Sequence, residues 1–377
     1  MKMKKNRTEI ELTQSERMLF ALLKAALNES PAEAELFEEA SDEEWLACYQ
    51  LAVKQGVMAL AWDGLCTLPP DLRPERPLRL TWGLGVSAQE ERYHRYARTA
   101  SELTEFYAKS GIRTVLLKGV GFAACYPIPA HREGGDIDIF TYSDGTWSWS
   151  DAQANNFADL LMEAQGIKVD RKHSVKHSMF PYQDIPVENH KRFVNVESYA
   201  VAKQVDPLCR RLLSPRRILL EGEYAVYVPS AEFNTLFLAF HAAQHYRNGL
   251  ALHHLCDWAC LLRSNGLHVP GGIDDKRFAN WITALTHLCH TYLGTEPEAS
   301  GQEALADSIL REVLRPPYPS LVPTTHKLGI ISFKLRRMWH QYRLCRTVLY
   351  VPFYRWISTS VVSHLRFPET VFDRGRK

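Results

Sequence analysis

The sequence lacks the features that would place it in a membrane or outside the cell. It contains no run of about 18 apolar residues, the length that a transmembrane helix needs. Its first residues are polar and do not form the apolar stretch of a signal peptide. The eight cysteines are scattered and include no C-x-x-C pair, which favours reduced thiols over a disulfide framework. We therefore expect a cytoplasmic protein.

An excess of charge of either sign is also missing. The 45 basic and 43 acidic residues leave a formal net charge of +2, so no overall field demands nucleic acid or anionic lipid as a partner. The chain has neither internal repeats nor low-complexity tracts. Its 377 residues, 46% of them hydrophobic, are enough to bury a substantial core. The function must be sought in local patterns.

Hydrophobic periodicity divides the chain into four regions. Helical spacing dominates residues 1–110, and residues 230–325 form a second helical domain that opens on a Ser230 cap. Between them, residues 111–229 carry strand patterns, with a hairpin expected around Gln183-Asp184 and a short strand at Ile167–Val169. Residues 326–377 form a basic, aromatic segment. The predicted fold class is α+β, a small mixed sheet flanked by N-terminal and C-terminal helical regions.

Two aspartates interrupt an apolar run at Gly135-Asp136-Ile137-Asp138-Ile139. Residues two apart on a strand point to the same face, so the two carboxylates should lie side by side. Like charges about 4 Å apart repel by about 4 kcal/mol at an effective dielectric of about 20, and a divalent cation reverses that cost. Carboxylate oxygens suit Mg²⁺ or Mn²⁺. The pair is predicted to bind metal; the alternative is two solvated carboxylates on an edge strand.

Upstream of the pair, Lys118-Gly119-Val120-Gly121 is predicted to be a strand-to-helix turn. Glycine lets the backbone approach a ligand closely, and the N–H groups at the start of a helix attract phosphate. A phosphate cradle opposite two carboxylates is the arrangement that metal-assisted nucleotidyl transfer needs. The alternative for Gly119 is an ordinary turn glycine.

Several motifs follow one another in this part of the chain: Leu116-Leu117-Lys118-Gly119, Tyr126-Pro127, Arg132 and Gly135-Asp136-Ile137-Asp138-Ile139. Together they resemble the signature of the uncharacterised nucleotidyltransferase-like family within the DNA polymerase beta superfamily. The resemblance extends to 186-PVENHKRF-193 and to His241-x-x-x-His245 with Asp257, and it covers residues from roughly 15 to 265.

This resemblance implies a nucleotidyltransferase-like core over residues 111–229. By the same resemblance, Asp136 and Asp138 would bind the catalytic metals, and Glu188 would be the third carboxylate. The residues implied to hold the nucleotide are Lys118, Gly119, Gly121 and Arg132. Two positions depart from the superfamily at large: Val120 stands where serine or glycine is common, and Glu188 stands where aspartate is usual.

Further residues are predicted to face the substrate: Lys176, His177, His190, His241, His245 and Asp257. His241 and His245 have the spacing of a zinc pair, but no glutamate follows His241 to complete an H-E-x-x-H motif. Pocket or core histidines are therefore the favoured interpretation. The run His253-His254-x-Cys256-Asp257-x-x-Cys260 fits no common zinc spacing and is interpreted as buried helix.

The segment 326–377 has eleven basic residues against two acidic ones, with aromatic residues between them. The basic residues are Lys327, Lys334, Arg336, Arg337, Arg343, Arg346, Arg355, Arg366, Arg374, Arg376 and Lys377. Such a mixture is able to contact an anionic partner, either RNA or a membrane surface. In the alternative, the aromatic residues pack on the helical domain and the arginines face water.

The leading functional hypothesis is a metal-dependent nucleotidyltransferase. It would move a nucleoside monophosphate from an NTP, such as ATP, onto an unknown acceptor, which is a small molecule, an RNA or a protein. Mg²⁺ or Mn²⁺ would be the cofactor. One alternative is a catalytically inactive nucleotide-binding or regulatory module, which Val120 and Glu188 favour. Another is a hydrolase in which His241, His245 and Asp257 hold a transition metal.

Overall fold

The computed structural model describes residues 10–172, 174–247, 249–319 and 321–358. It confirms the α+β class, with a small mixed sheet among many helices. The helices are α1 (Gln14–Asn28), α2 (Asp42–Lys54), α3 (Met58–Thr67), α4 (Arg76–Ala108), α5 (Val120–Ala123), α6 (Asp151–Ala164), α7 (Ala202–Leu212), α8 (Ala231–Tyr246), α9 (Leu252–Asn265), α10 (Lys276–Leu293), α11 (Glu303–Leu314) and α12 (Lys327–Val348). The strands are β1 (Ile112–Leu116), β2 (Ile137–Ser143), β3 (His177–Tyr182), β4 (Ile185–His190), β5 (Arg216–Leu220) and β6 (Tyr224–Val228).

Four strands form the main sheet in the order β1-β2-β4-β3. The central strands β2 and β4 run parallel, and both outer pairs are antiparallel. The predicted hairpin is confirmed: β3 and β4 are joined through Gln183 and Asp184, whose φ angles of +50° and +61° suit a two-residue hairpin turn. Strands β5 and β6 form a separate antiparallel ribbon.

The prediction of a short strand at Ile167–Val169 is wrong. Gly166, with φ +77°, ends the turn after α6, and the segment that follows reaches the sheet at one isolated bridge between Asp170 and Met179. Ile167 and Val169 are partly buried against the core beneath the sheet. Their apolar character therefore serves packing rather than strand pairing.

The N-terminal helices fit together at very short range. α1 begins at a capping box in which Thr13 accepts from the backbone of Glu16 and Glu16 reaches back to Thr13. α1 and α3 then approach so closely that a Cβ on Gly64 would lie 2.1 Å from the carbonyl oxygen of Leu22. Only glycine permits this contact.

A buried histidine links α3, α4 and the segment before β2. His131 places Nδ1 2.8 Å from Asp63 of α3 and Nε2 3.0 Å from Glu90 of α4. Burial alone would lower the pKa of His131, but the two carboxylates raise it above its ordinary value. The charged form of this histidine therefore stabilises the junction.

Helices from both ends of the chain share one hydrophobic core. α1 packs against α3, α9 and α10, and its buried leucines belong to the same cluster as the residues of α8 to α11. A second core lies between the sheet, α4 and α6. The division of the chain at residues 110, 229 and 325 stays a prediction.

The last described helix, α12, packs against α8 and α10. Tyr342 is buried, and its ring lies within 6 Å of the rings of Trp339, Phe353 and Trp356, whereas Trp339 is 52% exposed. Part of the aromatic set thus packs on the helical region. Arg366, Arg374, Arg376 and Lys377 lie outside the described residues, and contact with RNA or a membrane surface stays a prediction. Among the described helices, none combines the length and the apolar character needed to cross a membrane.

Candidate active site

The three predicted carboxylates come together at the two parallel strands. Asp138 lies on β2 directly opposite Glu188 on β4, and Asp136 immediately precedes β2. One carboxylate oxygen from each of these residues lies within 4.8 Å of the other two. The parallel register thus places side by side two residues that are fifty positions apart in the sequence.

Lys118 completes this carboxylate centre. Its Nζ lies 2.5 Å from Asp138 Oδ2 and 3.4 Å from Asp136 Oδ1. Burial alone would lower the pKa of Lys118, but Asp138 and Asp136 raise it above its ordinary value. The ammonium group therefore stays charged and offsets part of the negative charge between the two aspartates.

The two aspartates differ in their electrostatic surroundings. Asp138 is 1% exposed; burial alone would raise its pKa, but Lys118 and His190 hold it well below the ordinary value. Asp136 lies nearer the surface, and burial together with the charge of Asp138 raises its pKa. Asp138 thus holds its negative charge more firmly, whereas Asp136, at the edge of the centre, is protonated more easily.

Two histidines contact the carboxylates from the sheet. His190 Nε2 lies 2.9 Å from Asp138 Oδ1, and its Nδ1 lies 3.2 Å from the carbonyl oxygen of Arg192. His177 Nδ1 lies 2.8 Å from Glu188 Oε2. Burial would raise the pKa of Glu188, but His177 and His190 lower it to about 2. The structure therefore keeps Glu188 ionised and makes it a weak base.

Lys176 lies at the same edge of the site. Its carbonyl oxygen accepts hydrogen bonds from the backbone N–H groups of Lys191 and Arg192, which fixes the lysine beside the end of β4. Burial lowers the pKa of the Lys176 ammonium, and the charges of Asp138 and Glu188 oppose that shift. A second cationic side chain thus borders the carboxylate centre.

The glycine turn is formed as predicted between β1 and α5. Gly119 has φ +61°, and a Cβ there would lie 3.1 Å from the carbonyl oxygen of Asp136. Glycine is required because the turn and the segment carrying Asp136 nearly touch. A Cβ on Gly121 would lie 2.6 Å from Leu116 Cβ, and its N–H already donates to the Lys118 carbonyl. Gly121 thus packs on β1, and its contact with a nucleotide stays a prediction.

Arg132 and Asp257 face each other in a buried pair. Arg132 Nε and Nη2 donate to the two Asp257 oxygens at 2.9 and 2.7 Å, and Tyr126 Oη donates to Asp257 at 2.6 Å. The pair joins the segment before β2 to α9. Their predicted nucleotide and substrate contacts stay predictions, but the observed contacts position the segment that carries Asp136.

Histidines of α8 and α9 meet next to Phe237. The ring of Phe237 lies 6.4 Å from that of His190 and 6.3 Å from that of His241. His241, His245 and His254 each offer a ring nitrogen within 4.8 Å of the others. The sequence interpretation missed His254, because only the packing of α9 on α8 brings it to the pair; Asp257, the partner expected instead, is bound to Arg132.

Comparison with known proteins identifies the family of this chain. A search of curated proteins and a search of solved structures both found no match. A family model described as uncharacterised nucleotidyltransferase matches residues 41–285, a range that contains the carboxylates, the glycine turn and both histidine groups. The match covers more than half of the chain. The protein therefore belongs to the uncharacterised nucleotidyltransferase family.

Proposed function

We propose that this protein is a metal-dependent nucleotidyltransferase. An acceptor oxygen would form a bond to the α-phosphorus of an NTP, the bond from that phosphorus to the bridging oxygen would break, and pyrophosphate would leave. The observation that carries the proposal is the register of β2 and β4, which sets Asp138 opposite Glu188 with Asp136 beside them.

The donor atoms of the centre fit Mg²⁺ or Mn²⁺. Asp136, Asp138 and Glu188 offer carboxylate oxygens, the ligand type that these ions prefer. Asp138 Oδ2 is buried and lies 2.5 Å from Lys118 Nζ, so the lysine would share this oxygen with the ion. These three residues would hold the ion. When bound, it would neutralise phosphate charge and help align the attacking and leaving oxygens.

Other side chains of the centre would bind the nucleotide and orient the carboxylates. Lys118, already charged between the aspartates, would hold the triphosphate, because fixed positive charge stabilises the charge that develops during transfer. His190 holds Asp138 in place. Glu188, with a pKa of about 2, is a poor proton acceptor, so we assign it to the metal rather than to activation of the acceptor.

A cavity near the C-terminal end of β4 is our candidate for the acceptor site. Its volume is ≈ 640 Å³, within the range of small-molecule pockets, and one of its lining residues, Arg192, contacts His190 through its carbonyl oxygen. Its charged lining comprises Arg192, Lys203, Arg247, Arg355, Glu197 and Asp206. The excess of basic groups favours an acceptor that carries negative charge.

Calorimetric titration of NTP with Mg²⁺ tests the carboxylate centre. Wild-type protein should bind NTP only with the metal, and Asp136→Ala/Asp138→Ala should abolish that binding. Asp71→Ala, at an exposed aspartate in the short 3-10 helix before α4, is the matched control and should bind as the wild type does. Binding that survives in the double variant would place the nucleotide elsewhere.

A second candidate function rests on Lys118. Its ammonium already lies 2.5 Å from Asp138, so the chain itself supplies a cation to the centre. This favours a module that binds nucleotide without transferring it. Release of pyrophosphate that requires Asp138 would exclude this second function; metal-dependent NTP binding with no pyrophosphate release in the presence of candidate acceptors would support it.

A further inference from the structure

We propose that His241, His245 and His254 form a second metal site, which binds one transition-metal ion of the Zn²⁺ type through three imidazole nitrogens. This site is separate from the carboxylate centre, and the inference does not depend on nucleotidyl transfer.

The packing of two helices builds the site. His241 and His245 are one turn apart on α8, so their rings lie on the same face of the helix, with centroids 4.5 Å apart. His254, in the first turn of α9, brings its ring centroid to 4.6 Å from that of His245 and 5.6 Å from that of His241. One ring nitrogen from each lies within 4.8 Å of the other two. Three candidate ligand atoms thus lie close to one another.

Other contacts fix the third ring and leave the site open for an ion. His254 Nδ1 lies 3.3 Å from both the backbone nitrogen and the carbonyl oxygen of Ala251, so Nε2 is the nitrogen left to serve as ligand. The described residues provide no hydrogen bond to the ring nitrogens of His241 or His245. Three polar groups therefore face one another in a half-buried place, and an ion would satisfy all three.

The imidazoles are in the form that binds metal. Burial lowers the pKa of His245 to about 4, and it lowers the pKa values of His241 and His254 well below the ordinary value. At neutral pH the rings are uncharged, so each has a lone pair to donate.

The donor set selects the kind of ion. Imidazole nitrogen suits Zn²⁺ and its neighbours in the first transition row, whereas Mg²⁺ prefers oxygen. Three protein ligands leave a fourth position for water or a substrate oxygen, as in catalytic zinc sites. The ring of Phe237 lies 6.4 Å from that of His190 and 6.3 Å from that of His241, and the three histidines share no ligand with the carboxylate centre.

Zinc loading of the full chain tests the site. Chelator-treated protein is loaded with Zn²⁺, freed of excess metal by gel filtration, and analysed for zinc. We expect one zinc per chain, and a loss of affinity of at least about 10-fold in His245→Gln and in His254→Gln. His287→Gln, at a part-buried histidine of α10 whose Nδ1 contacts the Ala299 carbonyl, should retain the metal. Asp138→Asn should retain it too, which separates this site from the carboxylate centre.

Electron paramagnetic resonance of wild-type protein loaded with one equivalent of Cu²⁺ decides the question without a variant. Coupling to three imidazole nitrogens is expected; two nitrogens with a carboxylate would indicate the neighbouring group of His177, Glu188 and His190 instead and would overturn the proposal. Wild-type protein that retains no zinc would also overturn it. So would folded His254→Gln protein that binds zinc as tightly as the wild type, or loss of zinc in Asp138→Asn.

Discussion

Asp257→Asn should lower the free energy of unfolding by about 3–5 kcal/mol, because it removes one partner of a buried ion pair. The Arg132 and Asp257 side chains are only 8% and 7% exposed, and two hydrogen bonds of 2.9 and 2.7 Å join them. Asparagine keeps the size of the side chain and one oxygen for Tyr126. What it removes is the charge that compensates the buried guanidinium, so the guanidinium would remain desolvated with no counter-ion.

Urea denaturation followed by tryptophan fluorescence measures this change. The control is Asp151→Asn, which breaks an exposed pair with Arg210 that is joined by one hydrogen bond of 2.6 Å; the side chains of Arg210 and Asp151 are 40% and 42% exposed. Solvent screens that pair, so its loss should cost about 0–1 kcal/mol. A change in Asp257→Asn no larger than in this control would refute the argument from burial.

A double variant distinguishes the loss of the ion pair from the cost of leaving one buried charge without its partner. Arg132→Met with Asp257→Leu removes both charges, and apolar replacement of a buried pair is often neutral. We therefore expect the double variant to be more stable than Asp257→Asn alone. If the double variant instead loses the sum of the two single effects, the pair is not coupled and the explanation fails.

Three further predictions concern other parts of the chain. The charge of His131 contributes stability that is complete below its unfolded pKa of about 6.5 and is lost as pH rises through its raised folded-state pKa. The fall in Tm with rising pH should therefore be smaller for His131→Gln than for the wild type. Gly64→Ala should destabilise the protein by about 1–3 kcal/mol or more in a thermal melt. The control Gly83→Ala, whose Cβ would meet only the Trp62 ring at 3.6 Å, should not be destabilised in this way. Equal Tm values for the two variants would contradict the close packing of α1 on α3. Lys118→Met should strengthen Mn²⁺ binding in the absence of nucleotide and weaken NTP binding in calorimetry; unchanged affinities would remove Lys118 from the centre.

Local features of the fold were predictable from the sequence. Alternation predicted the strand that carries Asp138, although Asp136 lies just before it, and the glycine turn after β1 followed from Lys118-Gly119. The turn of the β3–β4 hairpin was predicted from Gln183-Asp184. Each of these depends on neighbours in the chain, where backbone geometry and side-chain period decide the outcome.

Distant pairings were not predictable. Arg132 and Asp257 are 125 residues apart, and no spacing rule relates them. His254 joins His241 only because α9 folds back along α8. The environment of Glu188, which sets its pKa at about 2, depends on His177 across the hairpin. Charge and donor type are visible in a sequence, but the partner that neutralises or coordinates them is set by the tertiary fold.

The shared core of the two helical regions has a consequence for how this family is delimited. The family match begins at residue 41, after the whole of α1. Yet α1 buries Leu19, Leu22 and Leu23 completely, and Asn28 donates to the Leu293 carbonyl oxygen at 2.7 Å. A polypeptide trimmed to the matched range would expose the faces of α3 and α10 that α1 covers, and an exposed apolar surface of that kind favours aggregation. The matched range is therefore shorter than the stretch of chain that shares this hydrophobic core.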